Sequence, residues 1–353
     1  MDARTAYHTQ VDKENTLKLR ELLKELPPFA RDYFRAIGTT ASSRTRLSYA
    51  YDLKVFFQYL LMENPLFQNY AMEDFRVDVL DALQAVDIEE YQEYLRVYQS
   101  KDTGLENTNG ERGIKRKMSS LRSFYAYYYK REMIHTNPTL LVDMPKLHDK
   151  SIVKLDPDEV ATLLDYIEHA GDTLTGQKKT YYEKTKERDL AIFTLLLGTG
   201  IRVSECVGLD VEDIDFQNNG IKVHRKGGNE MIVYFGEEVA QALLDYLEVR
   251  EGITPLAGHE HALFYSTQRR RIGVKAVENL VKKYSQAVTT TKKITPHKLR
   301  STYGTALYEE TGDIYLVADV LGHKDVNTTR KHYADLGDAR RRKAATAVRL
   351  REK

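Results

Sequence analysis

In LGHKDVNTTRKHY, from Leu321 to Tyr333, the tyrosine stands ten residues after His323, with Arg330, Lys331 and His332 crowded just before the phenol. A tyrosine hydroxyl, with a pKa of about 10, is a weak nucleophile at neutral pH. It can nevertheless form a covalent intermediate if its surroundings assist. Other stretches carry groups that would assist at a phosphate. In ITPHKLRSTYGTAL, Thr295 can cap a helix, Pro296 fits its first position, and His297 and Arg300 stand at i and i+3 on one face of the opening turn. Free N–H groups and the helix dipole favour an anion at that end, so a His–Arg pair there suits a phosphate. In GTGIRVSECVGL, Arg202 follows two glycines and opens a helix. In RKGGNE, Lys226 sits at a turn whose glycines permit close approach of another backbone. Each piece alone also reads as a surface arginine, a turn lysine or a capped helix.

The elements that must position these residues show in the pattern. Glu187 to Thr199 is a strongly apolar helix ending at Gly198 and Gly200, so Arg202 starts a new one. Ile221 to Arg225 and Met231 to Phe235 are short β-like runs around Lys226-Gly227-Gly228-Asn229, a hairpin signal. Asp313 to Leu321 reads as a helix stopped by Gly322, which leaves His323 in a loop; Asn327 or Thr328 can cap a short helix carrying Tyr333. The N-terminal part reads as helices: Leu17 to Ile37, interrupted at Pro27-Pro28; Ser43 to Leu61; one capped by Asp87, with Glu90 three residues on, through Leu95; and Gly110 to Arg131. The tyrosines of SFYAYYYKR in that last helix are expected to pack against its neighbours. Asn137-Pro138 ends it, and TLLVDMPKLHDKSIVKL has no clear period. Asp156, with Pro157 behind it, restarts helix. The expected fold is mainly α with a small β-sheet: a helical bundle over 1–140, a linker over 141–154 and an α+β domain over 155–353.

Composition sets the class. The chain has 353 residues, 42% hydrophobic and 30% charged, enough for two domains with their own cores. No run of 18 apolar residues exists, which argues against a membrane span, and MDARTAYHTQVDKENTLKLR lacks the apolar core of a secretory signal, so the cytoplasm is expected. One cysteine, Cys206, leaves no intramolecular disulfide and no cysteine-built metal site, and its place on an apolar helix face reads as core. His259-Glu260-His261 puts its histidines at i and i+2 with no third ligand nearby, so no metal or other cofactor is expected. Net charge is only +1, but its distribution is uneven. Arg112 to Arg131 holds seven Lys/Arg and no acid, Arg269 to Lys293 eight against one, and the stretch from Arg330 onward nine against three. Three acid-poor basic clusters favour a nucleic-acid partner over solvated helix faces.

In this order and spacing, Arg202 in GIRVSE, the hairpin lysine, HKLR, LGH and the tyrosine ten residues beyond that histidine resemble the catalytic set of the tyrosine recombinases, the integrase family that includes phage lambda integrase, Cre and Xer. The motifs span residues 198–333, and the helical N-terminal part is similar to that family's core-binding domain. The resemblance implies a catalytic set of Arg202, Lys226, His297, Arg300, His323 and the nucleophile Tyr333, with Glu205 holding Arg202. Two guanidiniums would grip non-bridging oxygens, His323 would donate to them, and Lys226 would protonate the leaving 5′ oxygen, giving a 3′-phosphotyrosyl link without a metal. Relatives often read GKGNKER at the hairpin, so Arg225 and Lys222 compete with Lys226 for the lysine's place; Ser301 stands where many have another histidine. The family's architecture implies a C-shaped clamp on double-stranded DNA. Arg44, Arg46, Lys54, Lys115, Arg116 and Lys117 would contact it from the N-terminal domain, and Arg269, Arg270, Arg271, Lys282 and Lys283 from the catalytic domain. It also implies a homotetramer on two duplexes, a C-terminal segment (Ala344, Ala345, Ala347, Val348, Leu350) that docks on a neighbour, and strand exchange through a Holliday junction. Length and the run from Leu26 to Leu60 look most like the Xer group, including its single-recombinase type, with an FtsK-like translocase or a directionality factor as accessory; the integrase or resolvase of a mobile element is the first alternative and a DNA-binding protein that has lost strand cleavage the second.

Overall fold

The computed structural model describes residues 7–101, 103–148, 152–225, 229–323 and 325–333; of Thr328, Lys331, His332 and Tyr333 only the backbone is described. The chain is mainly helical, at 61%, with two small antiparallel sheets among the described residues, and it divides into two compact units, Met1–Asp149 and Lys150–Lys353. Among the described residues no helix is long and apolar enough to cross a membrane.

The first unit runs α1 (Tyr7–Leu22), α2 (Ala30–Ala36), α3 (Ser43–Glu63), α4 (Val79–Ala82), α5 (Ala85–Tyr94), β1 (Val97–Gln99), β2 (Glu106–Thr108) and α6 (Glu111–Lys130). Pro27-Pro28 divides the first helical stretch as its missing N–H groups require: α1 ends before it and α2 begins after it. Ser42 caps α3, its Oγ accepting the Thr45 N–H at 3.2 Å. Asp87 is not the cap of α5. It is the third helical residue, and its carboxylate reaches back to accept the Gln84 N–H at 2.8 Å, so the helix starts at Ala85. An acidic residue serves either as cap or at the third position of a capping box, so the sequence alone does not separate the two. The core is aromatic. Phe56, Phe57, Tyr91, Phe124, Tyr125 and Tyr128 are fully buried and meet largely edge to face. Within SFYAYYYKR, Tyr125 and Tyr128 pack inward while Tyr129 faces solvent. The Tyr128 hydroxyl donates to the Phe29 carbonyl at 2.7 Å, so its burial leaves no polar group unmet.

The second unit runs α7 (Pro157–His169), α8 (Gly176–Glu183), α9 (Lys186–Thr199), α10 (Val203–Gly208), β3 (Ile214–Asp215), β4 (Gly220–His224), β5 (Glu230–Tyr234), α11 (Glu237–Glu251), α12 (Val274–Val288), α13 (Pro296–Thr311), α14 (Ile314–Leu321) and α15 (Val326–Tyr333). Asp156 and Glu159 start α7 reciprocally, with Pro157 at its first position. α9 is the central element. Ala191, Ile192, Phe193, Leu195 and Leu196 are buried all round it, beneath α7, α11 and α13. The sheet order is β3-β4-β5, with Ile221 opposite Val233 and Val223 opposite Met231, so the inward faces of the hairpin pair apolar residues. β3, β1 and β2, of two or three residues each, carry too little alternation to be read from sequence.

Candidate active site

α14 ends in a left-handed turn. Gly322 has φ +62°, and the N–H groups of Gly322 and His323 return to the carbonyls of Asp319 and Ala318, both at 2.8 Å. The last carbonyls of a helix carry the negative end of its dipole and lack helical partners. Here they receive three guanidiniums from three different elements. Arg225, just past β4, donates to Val320 O at 2.7 Å and Asp319 O at 3.3 Å. Arg300, in the first turn of α13, donates to Leu321 O. Arg202, which opens α10, donates to Gly322 O at 3.4 Å.

A second left-handed glycine faces the first. Gly200 closes α9 at φ +63°, and a Cβ there would lie 2.4 Å from the Tyr303 ring and 3.0 Å from Leu321. Arg300 joins the two turns, with Nη1 donating to Gly200 O at 2.5 Å, and is 4% exposed. Arg202 is more open, its side chain 37% exposed. Glu205 holds it at both ends: Oε1 accepts Nη1 at 2.7 Å and Oε2 accepts the backbone N–H at 2.8 Å. Glu205 itself is buried, so the carboxylate faces the arginine rather than water.

His323 follows the turn. Its Nδ1 lies 2.7 Å from Thr329 Oγ1, and Thr329 is fully buried in α15, so the hydrogen bond orients the imidazole. The backbone places residue 333 four residues beyond Thr329, about one turn on, in the same helix. The Tyr333 side chain lies outside the described residues, as do Lys226, Gly227, Gly228 and the C-terminal segment from residue 334. His297 shares the first turn of α13 with Arg300 but is exposed, whereas Arg300 is directed inward; the Ser301 hydroxyl, four residues on, donates to the His297 carbonyl at 3.0 Å.

The residues that compete with Lys226 point in different directions. Lys222 pairs across the hairpin with Glu230 at 2.7 Å, on its exposed side. Arg225 reaches the α14 turn. Burial pulls its pKa down, Glu205 opposes that and Arg202 adds to it, so the three charged groups act on one another.

Three residues expected to face DNA are engaged inside the fold instead. Lys54 is buried, with Nζ donating to Glu25 Oε2 at 2.5 Å. Lys117 is buried 3.8 Å from Asp52, and burial lowers its pKa. Arg271 donates to the carbonyls of Val207 and Leu209, at 3.0 and 2.7 Å, and to the Asp210 carboxylate. Their partners lie far along the chain, which sequence spacing does not show. Arg116 is partly exposed yet bonded to Asp52. Arg44, Arg269, Arg270, Lys282 and Lys283 are exposed, and Arg46 and Lys115 half-buried. Of the other histidines, His261 sits 2.5 Å from Glu212, and among the described residues no three potential metal ligands cluster. Tyr303 and Tyr308 pack beside Val317 and Leu321, while Tyr315 is exposed.

The model of the phage integrase family matches residues 154–340. The chain is similar to tyrosine recombinase XerC of Caldanaerobacter subterraneus, 34% identical over 94% of this chain and 89% of that one. It is also similar to tyrosine recombinase XerS of Streptococcus uberis, 31% identical over 88% and 93%. Among solved structures, the XerH site-specific recombinase bound to a palindromic difH substrate in a post-cleavage complex shares the fold: TM-score 0.63 at 19% identity, covering 87% of this chain and 80% of that one. The match over more than half the chain and the relatives along nearly all of it agree: the chain belongs to the phage integrase family and is a tyrosine recombinase.

Proposed function

We propose that this recombinase cleaves and rejoins DNA at a defined site, with Tyr333 as nucleophile and a 3′-phosphotyrosyl intermediate. The observation that carries the reading is the convergence of Arg202 and Arg300 on the turn that presents His323. Arg300, held by two carbonyls, keeps its charge uncancelled for an incoming phosphate, and Arg202, steadied by Glu205, is presented beside it. His323, oriented by Thr329, donates beside them. Tyr333 attacks phosphorus; the phosphorus–5′-oxygen bond breaks; Lys226 supplies the proton to the leaving oxygen. His297 assists proton movement around the phosphate or around Tyr333, whose phenolic proton must leave as the bond to phosphorus forms. The free 5′ hydroxyl of a partner strand reverses the step, which exchanges strands through a Holliday junction.

The exposed cations Arg44, Arg269, Arg270, Lys282 and Lys283, with Arg46, Lys115 and Arg116, contribute sequence-independent phosphate contacts from both units. The assembly is a homotetramer on two duplexes, acting in the cytoplasm, with the C-terminal segment docked on a neighbour. The XerC and XerS relatives favour an Xer-type role in resolving chromosome dimers, served by an FtsK-like translocase or a directionality factor. Mapping covalent protein–DNA adducts across the genome tests this reading. Adducts at a site near the replication terminus, absent with Tyr333→Phe, are expected. Adducts at the ends of a mobile element would replace the Xer role with that of an integrase or resolvase, and none at all would refute strand cleavage.

A further inference from the structure

We propose that Arg225 is a positioning residue for strand cleavage: by bridging the end of β4 to the last carbonyls of α14, it fixes the turn that presents His323. The proposal rests on the recombinase reading above. The backbone of Arg225 is anchored in the hairpin, its N–H donating to Asn229 O at 2.8 Å, one pair beyond the β4–β5 ladder. Its side chain leaves the sheet and donates to Val320 O and Asp319 O at 2.7 and 3.3 Å. Arg202 and Arg300 reach the same helix end from α10 and α13, so Arg225 is the bond from the sheet to this turn.

The fit against Gly322 is close. A Cβ on Gly322 would lie 1.6 Å from Arg225 Nη1 and 2.3 Å from Cζ. Gly322 is therefore fixed twice, by its φ of +62° and by the guanidinium lying over it. Arg225 Nε is buried and makes no hydrogen bond among the described residues. The next residue, His323, returns its N–H to Ala318 O within the same turn. Moving Arg225 loosens that turn, and the loss is felt at the imidazole.

The test is a cycle of four chains: wild type, Arg225→Ala, His323→Ala and the double variant. It uses the duplex recovered by adduct mapping, nicked so that cleavage is trapped. Single-turnover adduct formation is measured at saturating duplex, and affinity separately. Arg225→Ala is expected to slow cleavage about 100-fold, the scale of a displaced catalytic group, with affinity changed by less than about twofold. In the His323→Ala background the same change is expected to cost less than about threefold, because coupled residues are not additive. Arg225→Lys should restore part of the rate, since an ammonium lacks the fork that spans two carbonyls; it is read in place of Arg225→Ala if that variant does not fold. Amide hydrogen exchange gives a readout independent of activity: Gly322 and His323 should exchange faster in Arg225→Ala with other helices unchanged. Equal losses in both backgrounds, a loss confined to affinity, or unaltered exchange at Gly322 and His323 would overturn the proposal. Absence of any adduct from the wild type would instead refute the recombinase reading, and the exchange result would still decide the role of Arg225.

Discussion

Two regions of the chain draw arginine and lysine side chains inward, and they do so with opposite electrostatics. In the first unit, Arg116 and Lys117 approach the buried carboxylate of Asp52. Burial outweighs both cations there and raises the Asp52 pKa, while it lowers that of Lys117. In the second unit, Arg225 and Arg300 are held by helix-end carbonyls, and the buried Glu205 faces Arg202. A carboxylate offsets a guanidinium's charge, as Glu205 does for Arg202, whereas the carbonyls around Arg225 and Arg300 orient those side chains and leave the charge in place. The first arrangement suits a fold that must bury a polar group. The second suits a site that must receive an anion.

The comparison can be broken most decisively at Arg300. Arg300→Ala should lower single-turnover cleavage by about 10²–10³-fold, the cost of one transition-state donor, with DNA affinity largely retained; a filter-binding titration beside the cleavage assay separates the two. Removing Asp52 should do the reverse. Asp52→Ala leaves Lys117 as a buried cation without its carboxylate, and unfolding should become easier by about 3 kcal/mol. That is the low end for a broken buried pair, because Arg116 is half exposed. Cleavage per folded molecule should stay unchanged, as urea melts and adduct yields would show. Because burial raises the folded pKa of Asp52, its contribution to stability is present below the ordinary carboxylate pKa and lost as pH rises through the raised value; Asp52→Asn should flatten that dependence. Glu205→Gln keeps the shape but leaves one acceptor for two Arg202 N–H groups and removes the charge, and about a tenfold loss of cleavage is expected, smaller than at Arg300. The smallest effect is at Cys206, whose buried thiol is pushed up to about 12. Native protein should resist alkylation near pH 8, and labelling should appear only as the chain unfolds.

Much of the fold was legible because its signals are local. Pro27-Pro28, Ser42, Asp156 with Pro157, Gly200 and Gly322 each act within a few residues of themselves, and each ends or starts an element where expected. The start near Asp87 is ambiguous in the sequence, because an acidic residue serves both as cap and at the third position. The spacing of Arg202, Arg300 and His323 was legible too, since each opens or follows a helix end. What sequence hides is the partner of a charge. Lys54, Lys117 and Arg271 look like surface cations until Glu25, Asp52 and Asp210 appear beside them. Arg225 was visible only as a competitor of the lysine after it; its reach to α14 joins residues 94 and 95 positions apart in the chain, which spacing does not show.

The most direct measurement is the identity of the residue that carries DNA. Wild-type chain and Tyr333→Phe are incubated with the nicked duplex, digested with nuclease and protease, and examined by mass spectrometry for a nucleotide-bearing peptide. The account predicts a 3′-phosphoryl adduct on Tyr333 and none from the phenylalanine variant. An adduct on a different side chain, or one that survives Tyr333→Phe, would contradict it.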